Sequence, residues 1–82
     1  NPVNGATVIR YALPAAGEID LAVFNLLGHQ VARLDTGYQA AGAHEAMWDG
    51  LDEEGQSLAA GVYFYRLRYR DQFTVRKLVL LP

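Results

Sequence analysis

Gly61-Val62-Tyr63-Phe64-Tyr65-Arg66-Leu67-Arg68-Tyr69-Arg70, then Asp71-Gln72, then Phe73-Thr74-Val75-Arg76-Lys77-Leu78-Val79-Leu80-Leu81 sets the architecture of this chain. Two β-prone runs rich in aromatic and branched residues meet across a polar break, the local signature of paired antiparallel strands. Side chains of a strand switch faces at each residue. Tyr63, Tyr65, Leu67 and Tyr69 therefore share one face, and Phe64, Arg66, Arg68 and Arg70 share the other. With Asp71-Gln72 as the two-residue turn, Arg66 would fall opposite Lys77, a like-charge pair that is mildly destabilising.

The rest of the chain fits an all-β body. Its 82 residues bound it to one domain, residues 1–82, and 51% of them are hydrophobic, enough for a core. Turn signals recur every eight to twelve residues, the rhythm of a sandwich or barrel. Residues 6–13 alternate and stop at Pro14, which has no N–H to give a ladder. Residues 18–24 place Ile19, Leu21 and Val23 on one face, and Gly28 closes a short hairpin into a strand over 29–34. Asp35-Thr36-Gly37 reads as a loop, 43–48 as a strand, and 56–58 as a short edge strand before the closing hairpin. The expected fold class is an all-β, Ig-like sandwich of about seven antiparallel strands with no helix.

Composition narrows function. The net charge of −2 argues against general nucleic-acid binding. Five of the seven basic residues nevertheless lie in the final hairpin, behind an acidic cluster of Asp49, Asp52, Glu53 and Glu54. No apolar run approaches the roughly 20 residues of a membrane-spanning helix. The opening Asn1-Pro2-Val3-Asn4-Gly5 has neither an initiator Met nor a signal-peptide pattern, which reads as a piece excised from a longer protein. Without Cys there is no disulfide and no thiolate metal site.

Each candidate chemistry has a plainer reading. His29 and His44 have no second ligand at metal-binding spacing. Asp49, Asp52 and Glu54 could offer oxygen ligands to calcium, but lack the alternating spacing of a calcium loop; carboxylates capping a tight turn account for them. Ser57 is the only serine, and although Ser57, His44 and Asp49 can be named as a triad, no nucleophile elbow surrounds Ser57. Trp48, Tyr38, Tyr63, Tyr65 and Tyr69 could line a sugar platform, but a mixed aromatic and aliphatic stripe more often packs a core, with Trp48 plugging one end. The chain reads as a binding or anchoring module that is not an enzyme and needs no cofactor.

Several motifs resemble known families. Thr7-Val8-Ile9-Arg10-Tyr11-Ala12-Leu13-Pro14 after Asn1-Pro2, the segment Val23 to Val31 with Asn25 and Gly28, Gly42-Ala43-His44 through Trp48-Asp49-Gly50 with Asp52 and Gly55, Ala60-Gly61-Val62-Tyr63, and Lys77-Leu78-Val79 are similar to the C-terminal sorting domains of the type IX secretion system. They are equally similar to the Ig-like domain of the flagellar hook-assembly scaffold protein. The chain departs from the pattern at Val3-Asn4, at Asp71-Gln72 where Gly is usual, and at Pro82.

The sorting resemblance implies a bacterial protein reaching the cell surface or medium through the periplasm. Its partners would be the outer-membrane secretion machinery, a sortase-like peptidase and a fused N-terminal cargo domain. Gly61, Val62, Tyr63, Arg66, Arg68, Lys77 and Val79 would carry recognition. The alternatives are a structural Ig-like spacer or assembly module and a carbohydrate-binding accessory module.

Overall fold

The computed structural model describes residues 7–81; the expected Asn4-Gly5 turn and Pro82 lie outside them. Six strands form among these residues: β1 (Thr7–Leu13), β2 (Gly17–Phe24), β3 (Gln30–Gln39), β4 (Gly42–Trp48), β5 (Gly61–Tyr69) and β6 (Gln72–Leu80). They make two antiparallel sheets, a pair β1-β4 and a four-stranded sheet ordered β3-β2-β5-β6. The expected strand at 56–58 is reduced to one bridge between Leu51 and Ser57, which leaves six strands where about seven were expected.

Alternation explains which faces meet. Ile9 and Leu13 of β1, Ile19, Leu21 and Val23 of β2, Tyr63 and Leu67 of β5, and Leu78 and Leu80 of β6 form the core around Trp48. Tyr65 and Tyr69 pack against it, so the whole tyrosine stripe of β5 faces inward as expected. Trp48 is 1% exposed and meets the Tyr63 ring edge-on, with centroids 5.2 Å apart at 74°. Its indole Nε1 donates to the Leu51 carbonyl at 3.0 Å, and the Tyr63 hydroxyl donates to the Ala59 carbonyl at 2.7 Å. Both polar tips are satisfied at the edge while the rings fill the interior.

Two expectations fail for physical reasons. Residues 35–37 belong to β3, because Asp35, Thr36 and Gly37 pair with Leu21, Asp20 and Ile19, and strand pairing overrides their turn preference. Register shifts along this ladder leave Leu34 and Val31 as extra residues, the mark of β-bulges. The closing hairpin turns at Arg70-Asp71, since Tyr69 pairs with Gln72. Arg66 then faces Val75 and Arg68 faces Phe73, so the expected Arg66–Lys77 repulsion does not arise.

Arg70 adopts φ 53°, a left-handed conformation uncommon outside glycine. Its backbone N–H donates to the Glu18 carbonyl at 3.1 Å and its guanidinium to the Ala16 carbonyl at 2.7 Å. The Tyr69 hydroxyl donates to Ala15 at 2.8 Å, which ties the hairpin turn to the β1–β2 connection. Gly17 lets the two approach closely: a Cβ there would stand 2.9 Å from the Arg70 side chain and 3.1 Å from the Tyr69 ring, so a larger residue would push the Arg70 arm aside.

Two substitutions test this packing. Gly28 (φ +84°) and Gly50 (φ +78°) share the left-handed backbone, but a Cβ at Gly28 meets open space whereas one at Gly50 lies 3.0 Å from Leu80. Gly28→Ala is expected to cost about 1–2 kcal/mol from backbone strain alone, and Gly50→Ala about 1 kcal/mol more from overpacking, measured by urea unfolding. Equal losses would show that Leu80 is not seated on the turn.

The Tyr11 hydroxyl is buried without a partner, its ring stacked on His44 at 5.3 Å. Burial first, and the Asp35 carboxylate second, raise the Tyr11 phenol above its ordinary value of 10.0. The native state therefore holds this proton more tightly than the unfolded chain does. The associated stability is present below pH 10 and is lost as pH rises through the folded value. Tyr11→Phe is expected to leave stability at pH 7 unchanged or raised by about 1 kcal/mol, and to flatten the loss above pH 10 in alkaline melts relative to the parent chain.

Candidate functional site

β5 is shared between two environments. Its inward residues build the core; its outward residues Val62, Phe64, Arg66 and Arg68 stand on the solvent face of the four-stranded sheet. Cross-strand pairing sets Val79, Lys77, Val75 and Phe73 of β6 beside them in that order. On the other side, Phe24, Ala22 and Asp20 of β2 lie opposite Phe64, Arg66 and Arg68. This face is unusually apolar for a surface: Phe73 is 59% exposed, Val75 61%, and Val79 and Val62 are also exposed.

The β2–β3 turn extends the apolar area. Leu26 and Leu27 are 70% and 79% exposed. They are not loosely held, because the Asn25 side-chain oxygen accepts from the backbone N–H groups of Leu27 at 2.9 Å and His29 at 3.0 Å. This Asx-type turn fixes the pair at the rim of the sheet. Shallow depressions run from Leu26 past Phe24 and Phe64 to Arg66 and Val75, and from Leu27 to Val62.

Arg66 sits in the middle. Its guanidinium lies over the Phe24 ring at 4.9 Å and the Phe73 ring at 5.4 Å, within cation–π range of both. Ala22, directly opposite on β2, leaves room for the side chain to lie down. Among the described residues the ion pairs are Arg10–Glu45 at 2.9 Å and Arg33–Asp20 at 3.4 Å, so Arg66, Arg68 and Lys77 have no acidic partner. The Arg66 Nε is buried with no hydrogen-bond partner.

Of the residues that the sequence singled out for recognition, Val62, Arg66, Arg68, Lys77 and Val79 share this face. Tyr63 belongs to the core, and Gly61 opens β5 opposite Leu80. Phe24, Phe73, Val75, Leu26 and Leu27 were missed. Only the strand register, not alternation, shows that the first three surround Arg66.

The acidic cluster is a turn. The Asp49 carboxylate accepts from Leu51 N–H at 3.1 Å, and the Asp52 carboxylate accepts from Glu54 and Gln56 N–H, each at 2.9 Å. Among the described residues no group of three or more His, Cys, Asp or Glu side chains is placed to hold a metal ion. His44 is stacked on Tyr11 with its Nε2 donating to the Ala40 carbonyl at 2.7 Å, while Ser57 sits in the Leu51 bridge. The aromatic residues do not form one platform, because Trp48 and Tyr63 are buried and Tyr38 is exposed on β3.

The two facing antiparallel sheets define an Ig-like β-sandwich. The model of the FlgD Ig-like domain matches residues 4–72, and the chain belongs to that family. Among solved structures, FlgD from P. aeruginosa is similar with a TM-score of 0.72 and 26% identity, over 92% of this chain and 59% of that one. FlgD from Xanthomonas campestris, described in connection with the hook capping essential for flagellar assembly, is similar with a TM-score of 0.71 and 28% identity, over 95% of this chain and 57% of that one. The chain thus spans less than two thirds of either relative. No curated protein matches it.

These findings correct the sorting assignment. The family match and both structural relatives are flagellar FlgD proteins, so a type IX sorting signal is overturned. The outer-membrane secretion machinery, sortase-like peptidase and cargo domain fall with it as partners. The physical reason lies in the shared motifs. Trp48, Gly50 and Tyr63 are core and turn residues that specify the sandwich, whatever it docks to.

The division between face and core is testable by equilibrium unfolding. Val79→Thr and Lys77→Gln are expected to change stability by no more than about 0.5 kcal/mol, as surface substitutions do. Tyr63→Phe, which removes only the hydroxyl bonded to Ala59, is expected to cost about 1 kcal/mol. A larger loss for Val79→Thr than for Tyr63→Phe would reverse the assignment.

Proposed function

We propose that this chain is a non-catalytic, structural Ig-like assembly module of a FlgD-type hook-capping protein. Its working surface is the outer face of the four-stranded sheet. Membership of the FlgD Ig-like domain family supports the flagellar reading. The observation that carries the docking role is the exposed row of Phe73, Val75 and Val79 beside Arg66 on an otherwise well-packed body. Contiguous exposed apolar surface of this kind marks interaction sites. The face offers hydrocarbon, aromatic rings and cations, with Glu18 and Asp20 at its β2 side, and its outward strand positions carry no Ser, Cys or His. Val62, Arg66, Arg68, Lys77 and Val79 contact the partner, and Gly61 and Tyr63 hold the strand that presents them.

An in-frame deletion of the codons for residues 7–81 in the organism that encodes the chain tests this. Loss of hooks in electron micrographs and of swimming in soft agar is the expected outcome. Normal hooks and full motility would refute the assembly role.

A further inference from the structure

We propose that Arg66 is the receptor for a carboxylate carried by a partner protein on an apolar-flanked segment laid across β2, β5 and β6. The inference rests on the reading of this face as a docking surface and adds the chemistry of what docks.

The guanidinium is prepared for an anion, and among the described residues no carboxylate pairs with it. Phe24 and Phe73 hold it from two sides at 4.9 and 5.4 Å, fixing a planar fork of donors on a low-polarity floor. Its Nε is buried and unpartnered, which leaves the two terminal guanidinium nitrogens, neither buried nor hydrogen-bonded, as the donors that an incoming carboxylate meets. Of the nine acidic residues, none lies within residues 1–6; on the β2 side of this face stand Glu18 and Asp20, and although Asp20 meets Arg33 through one oxygen at 3.4 Å and keeps its other buried without a partner, neither carboxylate forms an ion pair with Arg66. Arg66 is half-buried and so remains within reach of an incoming group.

The surroundings select hydrocarbon on both sides of the anion. The Leu26 turn, Phe24 and Phe64 border one flank, and Val75 and Phe73 the other. A free phosphate or a lipid phosphate would favour several converging cations, but Arg68 is turned to the Arg70 carbonyl at 3.0 Å and Lys77 stands opposite Phe64. One clamped guanidinium among apolar neighbours suits a glutamate or aspartate between apolar residues, bound by a bidentate pair of charge-assisted hydrogen bonds.

The test is an NMR titration of the 15N-labelled 82-residue chain with three probes. They are the acetylated, amidated tripeptide leucyl-glutamyl-leucine, its glutamine counterpart, and inorganic phosphate. The glutamate peptide is expected to shift the Arg66 Nε–H and the amides of Phe24, Phe64, Phe73 and Val75. It should bind about tenfold more tightly than the glutamine peptide, the size of one good charge-assisted contact. Arg66→Met, with its retained spectral dispersion confirming the fold, should erase that preference. Arg66→Lys should keep only part of it, because a point charge lacks the fork.

Equal binding of the two peptides, no binding of either, or shifts centred away from Arg66 would overturn the proposal. So would phosphate competing as strongly as the glutamate peptide, which would make this a general anion site. Normal hooks in the deletion strain with peptide binding intact would instead refute the flagellar role and leave the carboxylate site standing.

Discussion

Everything in this fold hangs on the edge-on contact between Trp48 and Tyr63. The β1-β4 pair is only two strands, and such a pair is marginal in water without a hydrophobic partner surface. That surface is the inner face of the four-stranded sheet, and Trp48 is where the smaller sheet is driven into it. The rings bring large apolar area to the centre, while the indole and phenol tips bond to Leu51 and Ala59 in the connection that follows β4. The same two residues thereby fill the core and pin the 49–60 segment, whose Gly50 turn seats Leu80 of the last strand.

A single strand, β5, converts this constraint into a usable surface. Because tyrosines occupy its inward positions, the intervening Phe64, Arg66 and Arg68 must face solvent. A slip of one residue would drive arginines into the core and expose the tyrosines, so the core packing that fixes the fold also fixes what the outer face shows. Ala22 contributes by being small: opposite Arg66, a larger side chain would lift the guanidinium off the Phe24 ring.

Much of this was legible in the chain itself. Period-two alternation was enough to place the β5 stripe inward and to find β1 and β2, while Gly42 and the turn after Trp48 marked out β4 and set Trp48 at the core. What alternation could not supply was register. Arg70 takes a left-handed turn position that its residue type disfavours, held there by Ala16 and Glu18, and this moved the hairpin by one residue. Only then does Phe73 come beside Arg68 and within reach of Arg66. The extension of β3 through Asp35-Thr36-Gly37 was equally hidden, since those residues read as a turn until β2 pairs with them. Motif resemblance had the opposite weakness. The Trp-Asp-Gly and Gly-Val-Tyr segments report packing and turns, so they identified the sandwich and could not choose between two families that share it.

Native-state hydrogen exchange on the parent chain and on Trp48→Phe probes the claim that Trp48 joins the two sheets into one cooperative body. The expected result is a drop in protection of the same free energy for amides of β1 and β4 and for amides of β2 and β5. Loss confined to β1 and β4, with β2 and β5 protected as before, would contradict it, because the four-stranded sheet would then stand without the smaller one.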